Sequence, residues 1–393
     1  MRRIVFLITM GIERPSGQRY FNIARELVQS GSKVRILALH PDLQSCNVRR
    51  FVQDGVEIWY VGQMHSHKRD GETLPMKPVK LLRVLCSATL GMIWGIICSP
   101  SDIYHLGKPQ PINGVAALLG VCGLRWRRFW VDCDDDEVTS NRFSSRWQQQ
   151  VFAFWQWLLP ALAAGVTVNT HFLAQRMRRR GIEPVVYVPN GVDFKHFQPP
   201  DGRMLAKLRT SLGLDGKQII AYVGTVAFHN HPVDMLLEAF RLYSATNPNA
   251  VLLIIGGGED LPTVKNWVQQ YALIGRVICL GNVPRQTLPL YMSLATITVD
   301  PVYDNDVARA RSPLKIVESL ALGIPVITSN VGDRAAVIGR SGMLVKAGDV
   351  HELCLSMSSV LCSYNQNDII MNNKKYSWQQ ITSEFNSIYG DVL

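Results

Sequence analysis

The sequence predicts an α/β protein built from two Rossmann-like, doubly wound domains. Short runs rich in β-branched residues alternate with helix-length amphipathic segments, which is the pattern of parallel βαβ units. This alternation is interrupted at 188–204, where an Asn-Gly turn and the pair Pro199–Pro200 are typical of a linker, and it then resumes. A chain of 393 residues is also too long for one ordinary core, so two or three domains are expected.

The first domain is predicted at residues 1–190. Its N-terminal "MRRIVFLIT" resembles a signal peptide, but the apolar run is short and no small-residue cleavage site follows, so we expect a buried first strand. In the segment 17–31 apolar residues recur at helical spacing, and Gly31 supplies the stop. The expected strands are 2–9, 33–39, 57–62, 102–107, 128–133, 164–170 and 185–190.

The second domain is predicted at residues 195–375, followed by a C-terminal helix at 376–393 that crosses back to the first domain. Ligands of open α/β sheets sit beyond the carboxyl ends of the strands, so a cleft faced by both domains is the expected site. The expected strands of this domain are 218–224, 250–258, 277–282, 295–301, 324–330 and 342–348.

The charge balance indicates anionic partners. The chain has 41 Lys and Arg against 31 Asp and Glu, a formal net charge of +10. A basic stripe interleaved with aromatic residues and a zinc-finger spacing are both missing from the sequence, so nucleic acid is not expected as a partner. The eight cysteines form no Cys-x-x-Cys pair and favour buried thiols of a reducing compartment, hence a cytoplasmic protein.

The uncharged stretch 84–98 follows Lys80 and Arg83 and raises the question of a membrane. Its fifteen residues fall short of the roughly 20 that span a bilayer. Two alternatives stay open: a core helix, or an interfacial helix whose basic flank contacts lipid headgroups.

Three cations gather in the stretch "RARSPLKIVESLALGIPVI" at 309–327, where an amphipathic helix is predicted at 313–322. A helix N-terminus already carries partial positive charge and unpaired N–H groups. The addition of Arg309, Arg311 and Lys315 is therefore unfavourable unless an anion lies beside them, and a phosphate is the usual candidate.

Five segments in order carry a family resemblance: "VPNGVDFKHFQP", "YVGTVAFHNHPVDMLLEAF", "VLLIIGGGED", "VICLGNVPRQTLPLYMSLATI" and "SPLKIVESLALGIPVITSNVG". Together they resemble the C-terminal half of retaining nucleotide-sugar glycosyltransferases of the GT-B fold, family 4 type. The likeness extends to "PSGQRY", "DIYHLGKPQP" and the closing "SWQQI", and so covers nearly the whole chain. It implies that the first domain binds the acceptor and the second binds the donor.

The resemblance assigns the donor's nucleotide diphosphate to the second domain. Lys315 would contact the diphosphate, and Glu318 would accept hydrogen bonds from the ribose hydroxyls. Arg309 or Arg311 could add a phosphate contact, or be solvated. The remaining donor-binding positions are Gly224, Thr225, Asn282, Val283, Ser312, Pro313 and Leu314, of which Asn282 and Val283 would meet the nucleobase through their main chain.

Two departures from the family pattern stand out. The family usually carries a second glutamate eight positions before Glu318, and here that position is Ala310. The lysine that usually follows the Gly-Arg of the first turn is missing after Gly224-Thr225, and His229 and His231 stand downstream. Backbone N–H groups of 309–314 are expected to take over part of donor-sugar recognition.

In the first domain, Gly17 is expected in the loop after the first strand, where it allows close approach to the transferred group. His105 is expected at a strand end facing the donor sugar, with Lys108 beside the acceptor.

The acidic run 132–137 contains an Asp-x-Asp. We expect Asp134 and Asp135 on the acceptor side or in a structural role, and no metal. The predicted catalytic residues are His105, Arg311 and Lys315.

The resemblance implies a retaining, metal-independent transferase that needs no cofactor and moves a sugar from a UDP- or GDP-sugar to a hydroxyl. Its product would be a glycolipid, a polysaccharide or a natural-product glycoside, and the enzyme would be cytoplasmic, in the glycolipid case at the inner membrane face through peripheral contact. Two alternatives remain: a nucleotide-sugar epimerase or hydrolase of the same fold, and a non-catalytic nucleotide-sugar-binding protein.

Overall fold

The computed structural model describes residues 1–65, 67–69, 72–74, 78–141, 143, 145–359 and 364–390. Its chain divides into two compact units. Unit 1 comprises Met1–Pro189 and Trp378–Leu393, and unit 2 comprises Asn190–Ser377. Residues 391–393 of the predicted C-terminal helix lie outside the described part of the chain. Each unit has its own largely parallel sheet, which confirms the predicted α/β fold class.

The strands of unit 1 are β1 (Arg3–Ile8), β2 (Lys33–His40), β3 (Arg50–Gln53), β4 (Val56–Gln63), β5 (His67–Arg69), β6 (Glu72–Leu74), β7 (Ile103–Gly107), β8 (Phe129–Cys133), β9 (Gly165–Val168) and β10 (Val185–Tyr187). Those of unit 2 are β11 (Gln218–Val223), β12 (Ala250–Ile255), β13 (Val277–Gly281), β14 (Ile297–Asp300), β15 (Val326–Ser329) and β16 (Gly342–Val345).

The helices are α1 (Pro15–Gln29), α2 (Pro78–Ile97), α3 (Pro111–Ala116) continued by a π-helical segment (Ala117–Leu124), α4 (Arg146–Leu162), α5 (His171–Arg179), α6 (Gly202–Ser211), α7 (Val233–Thr246), α8 (Leu261–Gln270), α9 (Leu288–Met292), α10 (Asp306–Ala310), α11 (Leu314–Ala321), α12 (Arg334–Ile338), α13 (Val350–Ser359), α14 (Gln366–Asn373) with a 3-10 turn (Lys374–Tyr376), and α15 (Trp378–Gly390).

The strand order places one crevice in each unit. Unit 1 has the order β10-β9-β8-β7-β1-β2-β4-β3, and β3 pairs antiparallel with β4. Unit 2 has the order β13-β12-β11-β14-β15-β16, with all neighbours parallel. The direction of winding reverses between β1 and β7 in unit 1 and between β11 and β14 in unit 2. Ligands bind at the carboxyl ends of strands at such switch points.

The last helix, α15, belongs to the core of unit 1. Trp378, Ile381, Phe385 and Tyr389 are buried with the apolar face of α1 and with strands β1 and β2. The chain thus returns to unit 1 after it has completed unit 2. The acceptor-binding and donor-binding roles of the two units stay predictions.

The helix around the uncharged stretch 84–98 is longer than the sequence suggested. Helix α2 has 20 residues, and its part Val79–Ile97 is long and apolar enough to cross a membrane by length and composition. In unit 1, 28% of that window is buried. The inner face of α2 packs on β4 through small residues: a Cβ on Gly91 would lie 2.1 Å from the Val61 carbonyl oxygen. The outer face is exposed, so α2 is a half-buried surface helix of unit 1.

Replacement of Phe385 by alanine tests the place of α15. Phe385 is 1% exposed, so Phe385→Ala should lower the free energy of unfolding of unit 1 by about 3–5 kcal/mol. Urea unfolding followed by tryptophan fluorescence reports mainly on unit 1, which holds eight of the nine tryptophans. The exposed Gln379→Ala is the control, and equal losses in both variants would contradict the packing.

Candidate functional site

The carboxyl end of β11 brings two predicted donor residues into contact. Gly224 follows the strand with φ 143°, a backbone region that favours glycine. A Cβ on Gly224 would lie 2.1 Å from Lys315 Nζ and 2.3 Å from its Cε. The absence of a side chain at Gly224 therefore makes room for the lysine, which lies in the first turn of helix α11. Thr225 is exposed beside them.

Lys315 is held in a polar environment that still disfavours its charge. Its Nζ lies 3.3 Å from the Tyr222 hydroxyl and 4.7 Å from the centre of the Tyr222 ring. Burial lowers the pKa of Lys315, and the nearby Arg334 and Arg311 lower it further, while Asp300 opposes them. An anion placed here would relieve the repulsion among the cations.

Asp300 and Arg334 form a buried ion pair beside Lys315 that the sequence analysis missed. Arg334 Nε lies 3.1 Å from Asp300 Oδ2 at the end of β14. Burial opposes ionisation of Asp300, but Arg334 and Lys315 hold its pKa below the ordinary value. Arg334 Nη1 also donates to the Ala308 carbonyl, 3.1 Å away, and so fixes α10. The position of Asp300 as the last residue of a buried strand was the available signal.

His231 belongs to the same cluster, although the sequence analysis assigned it no role. Burial lowers its pKa to about 3, and the charges of Lys315 and Arg311 add to this effect. The ring is therefore neutral at physiological pH and can donate one N–H. Asp300, Arg311, His231 and Lys315 interact electrostatically and surround the switch point between β11 and β14.

The stretch 309–314 differs from the expected helix start. Helix α11 begins at Leu314, and Arg309 lies in the separate helix α10. Arg309 donates from Nε and Nη2 to Asp304, at 2.8 and 3.0 Å, so its charge is balanced within its own loop. Ala310, where the family usually has an acid, is fully buried. Arg311 thus lies with Lys315, and Arg309 is turned to Asp304.

Glu318 is 3% exposed and pairs with a residue that the sequence analysis did not name. Arg285 Nη2 donates to Glu318 Oε1 at 2.9 Å. Burial raises the pKa of Glu318, and Arg285 opposes this rise. Lys315 and Glu318 are three residues apart and could form a plain surface ion pair on the helix, but the burial of Glu318 excludes this. Arg285 follows the predicted base-contacting segment by two residues, which was the signal that could have found it.

Loops after three strands meet around this carboxylate. Gly256 N donates to the Gly281 carbonyl at 2.8 Å, and the exposed Asn282 side chain lies against Gly257. Val283 packs at the rim of the core under α11. Ser312, between α10 and α11, accepts a hydrogen bond from the Asn190 backbone N–H at 3.0 Å. The glycine-rich turn, the segment 281–285 and the start of α11 thus form one edge of unit 2, where Pro313 is buried and Leu314 half-buried.

In unit 1 Gly17 serves a packing purpose. Gly17 was expected in the loop before helix α1. The helix begins at Pro15, however, so Gly17 lies in its first turn. A Cβ at Gly17 would lie 2.0 Å from the Gly11 carbonyl oxygen. The first loop of unit 1 can therefore close over the start of α1 only because residue 17 has no side chain.

Lys108 is the centre of a buried charged network after β7. Its Nζ lies 2.7 Å from Glu137 Oε1 and 3.2 Å from Asp134 Oδ1. Although burial disfavours the ammonium, the carboxylates raise the pKa of Lys108 well above its ordinary value. Burial raises the pKa of Asp134 to about 6 against the effect of Lys108. Gln110, not named by the sequence analysis, donates to Glu137 at 2.6 Å and bonds Thr9 after β1.

His105 lies in the middle of β7 and not at its end, which corrects the expected position. It is fully buried, with Nδ1 2.5 Å from the Tyr389 hydroxyl of α15 and Nε2 3.2 Å from the Thr167 hydroxyl of β9. Burial lowers the pKa of His105 to about 4. Both ring nitrogens are thus engaged inside unit 1, away from the carboxyl edge.

The acids of the run 132–137 bind separate protein partners. Asp132 pairs with the buried Arg19 at 2.9 Å, Asp136 with Arg176 at 2.5 Å, and Asp135 accepts from the Ser140 hydroxyl at 2.5 Å. Within the described residues, no group of three or more His, Cys, Asp or Glu side chains could hold a metal ion. Asp135 therefore has a loop-fixing contact, and Asp134 shares Lys108 with Glu137, whose carboxylate lies nearer to the ammonium. Metal independence stays a prediction.

Each half of the chain matches a family model. The model of glycosyl transferases group 1 matches residues 206–376, and the model of the glycosyl transferase 4-like domain matches residues 16–191. These matches agree with the resemblance seen in the sequence and confirm it. The division between the two matched ranges lies close to the boundary between the units.

A curated relative is the GDP-mannose-dependent alpha-(1-6)-phosphatidylinositol monomannoside mannosyltransferase of Mycolicibacterium smegmatis, 26% identical over 180 residues, which are 44% of this chain and 46% of the relative. The chain spans about half the length of the curated relatives it matches first. Sucrose-phosphate synthase from Thermosynechococcus elongatus has a TM-score of 0.73 at 18% identity, covering 100% of this chain and 99% of that one.

An Anabaena protein crystallised with UDP and glucose has a TM-score of 0.72 at 15% identity, covering 99% of this chain and 100% of that one. Identities this low show the fold alone, which is the predicted GT-B fold with its two Rossmann-like units.

The buried His105 predicts an acid-dependent loss of stability in unit 1. Its pKa is about 4 in the folded protein and near 6.5 when unfolded, so the unfolded state binds the proton first as the pH falls. The contribution of neutral His105 is complete above pH 6.5 and is lost between about pH 6.5 and 4, up to about 3 kcal/mol.

The measurement is urea unfolding by tryptophan fluorescence from pH 7 to 4.5, for the wild type and His105→Gln. Asp134, with a pKa near 6, changes stability with the opposite sign in the same window, so the difference between the two proteins is the informative quantity. His105→Gln should be less stable at pH 7 and show the smaller acid loss. Parallel curves would contradict the assignment.

Proposed function

The chain belongs to the glycosyltransferases of the GT-B fold, family 4 type, and we propose that it is a retaining, metal-independent enzyme. It transfers a sugar from a UDP- or GDP-sugar to a hydroxyl of an acceptor. The observation that carries this proposal is the cationic cluster at the switch point of unit 2, where Lys315, Arg311 and neutral His231 lie together. A nucleotide diphosphate supplies the negative charge that this cluster lacks.

The cluster would act on the leaving group. As the bond between the anomeric carbon and the diphosphate oxygen breaks, negative charge develops on that oxygen, and preorganised cations stabilise it most strongly where water is scarce. The new bond forms between the same carbon and the acceptor oxygen, and the acceptor proton passes to the departing phosphate. Charge and atoms balance without a protein nucleophile, and the protein supplies position and electrostatics.

The nucleoside would lie along the edge formed by Glu318, Arg285 and the segment 281–283. A carboxylate can accept from both hydroxyls of a ribose, and Glu318 is a buried acid paired with Arg285, two residues after the predicted base-contacting segment. Arg285 opposes the rise that burial causes in the pKa of Glu318. This arrangement supports the ribose role of Glu318 while it leaves UDP and GDP as equal candidates.

The donor sugar must be recognised without the acid that Ala310 replaces. Backbone groups of 312–314 and the Asp300–Arg334 pair lie on the same edge of unit 2 and are the groups available for its hydroxyls. In unit 1, the network of Lys108, Asp134 and Gln110 offers donors and acceptors to an acceptor hydroxyl at the carboxyl edge of β1 and β7. His105 is enclosed and has no part in the proposed chemistry.

The proposed acceptor is a lipid-linked hydroxyl at the cytoplasmic membrane face. The Mycolicibacterium smegmatis relative is named for transfer to a phosphatidylinositol monomannoside, which is a lipid. The net charge of +10 favours an anionic membrane surface, and α2 leaves an apolar face exposed.

Replacement of Lys315 tests the diphosphate site. Lys315→Ala should weaken binding of UDP or GDP about 10- to 100-fold, because a charged contact to phosphate contributes about 1.5–3 kcal/mol. Isothermal titration with both nucleotides measures it, and Arg309→Ala, a cation already bound to Asp304, is the control with unchanged affinity. Unchanged binding in Lys315→Ala would refute the site.

The ribose contact is tested by Glu318→Gln, which keeps the volume and removes the charge. The wild type should prefer UDP or GDP over the 2′-deoxy form about 10-fold or more, and the variant should lose most of this preference. Equal discrimination in both proteins would contradict the role of Glu318.

Product analysis by NMR with donor alone then separates slow hydrolysis, expected of a transferase, from epimerised sugar.

A further inference from the structure

We infer that unit 1 docks on an anionic lipid bilayer through one surface, formed by the outer face of α2 together with residues 119–128. The inference rests on the proposed function in one respect, because the proposed acceptor explains why the enzyme would meet a lipid. The contact itself follows from the exposed side chains and their charges.

The outer face of α2 is largely apolar, with Arg83 on the same face near its start. Val79, Leu82, Leu90, Trp94 and Ile97 are exposed, and they lie within about 120° of the helix circumference. The inner face is fixed: Gly91 meets the Val61 backbone and Gly95 meets the Leu37 side chain. Since the inner face is occupied by the sheet of unit 1, α2 can lie along a membrane interface but cannot cross the bilayer in this fold.

A second apolar element adjoins the C-terminal end of α2. Arg125 donates to the carbonyls of Ile96 and Ile97 and joins the end of the π-helical segment to α2. Next to it, Trp126 is 87% exposed and has φ 52°, a conformation that is unfavourable for a bulky residue. Such strain is often kept where a side chain has a function. Leu119 and Leu124 are exposed on the same segment.

The charges of this surface select its partner. Residues 80–128 contain one acid, Asp102, which is paired with Arg3, and a buried lysine, Lys108. The other cations of this range are exposed or half-buried: Lys80, Arg83, Arg125, Arg127 and Arg128. Lys80 and Arg83 are exposed at the start of α2, and the exposed Arg127 and Arg128 follow Trp126. Exposed tryptophans with basic neighbours are suited to the headgroup region of an anionic bilayer, where each nearby cation adds to the attraction.

A second copy of this chain fits the surface less well. A symmetric dimer brings the same patch against itself, so the cations of one protomer would face the cations of the other. A bilayer with anionic headgroups satisfies the apolar and the cationic parts of the surface at the same time. The occupant we propose is therefore an anionic lipid surface.

The test is co-sedimentation of the full chain with vesicles of phosphatidylglycerol and phosphatidylcholine. Trp94→Ser with Trp126→Ser should weaken vesicle binding more than 10-fold, and Arg83→Gln with Arg127→Gln about 5-fold or more. The matched controls are in unit 2: the exposed apolar pair Ile274→Ser with Leu355→Ser, and the exposed cations Arg203→Gln with Lys207→Gln. Both controls should bind as the wild type does.

Equal losses in the controls, or wild-type binding to pure phosphatidylcholine, would overturn the proposed surface. So would a lipid-independent change of oligomeric state in the tryptophan variant, measured by light scattering, because it would assign the patch to self-association. Circular dichroism checks folding, and if the tryptophan variant unfolds, the arginine variant decides. UDP and GDP titration without vesicles should be unaffected in every variant, so a failure of donor binding is detected separately.

Discussion

The close packing of the Lys315 side chain on the bare backbone of Gly224 determines the geometry of unit 2. The lysine can lie across the end of β11 only because residue 224 has no Cβ, and φ 143° there suits glycine. Around this contact the unit collects Asp300, Arg334 and Arg311, so that the ammonium is half-buried among charges that only partly balance it. The folded protein therefore holds an electrostatic imbalance at its switch point, which a bound anion would relieve.

The charges at the carboxyl edge of the sheet in unit 1 are arranged differently from those in unit 2. In unit 1 Lys108 meets two carboxylates, Arg19 meets Asp132, and Gln110 links Glu137 to Thr9, so that the described charges largely satisfy one another. A network of this kind presents dipoles and a shared proton more than a net charge. A neutral hydroxyl can exchange hydrogen bonds with it, whereas a diphosphate would find little free positive charge. The two edges thus differ in the kind of ligand they can hold, in the direction that a transferase with an anionic donor requires.

The sequence was sufficient for the parallel strands of both large sheets, because buried parallel strands are apolar runs, but it did not predict β3, β5 and β6. The donor-binding roles of the motifs at the strand ends stay predictions. The sequence was not sufficient for partners distant in sequence. Arg285 with Glu318 and Asp300 with Arg334 are joined by the sheet order, which no local pattern encodes. The predicted position of His105 was wrong because the residues on both sides of it are compatible with either the end or the middle of a strand. The helix α2 was placed too short because its first residues include charges on an otherwise apolar face.

The missing acid at Ala310 becomes understandable from the packing of α10. Ala310 is fully buried at the end of this helix, whose Ala308 carbonyl is held by Arg334. A glutamate at 310 would bury a carboxylate near the Asp300–Arg334 pair, where a second acid would compete for the same guanidinium at a cost of several kcal/mol. Asp300 is then the acid that this fold keeps close to Lys315. If a carboxylate contacts the donor sugar in this chain, the described residues favour Asp300, which reaches that edge from the end of β14 and not from the helix start where the family usually carries it.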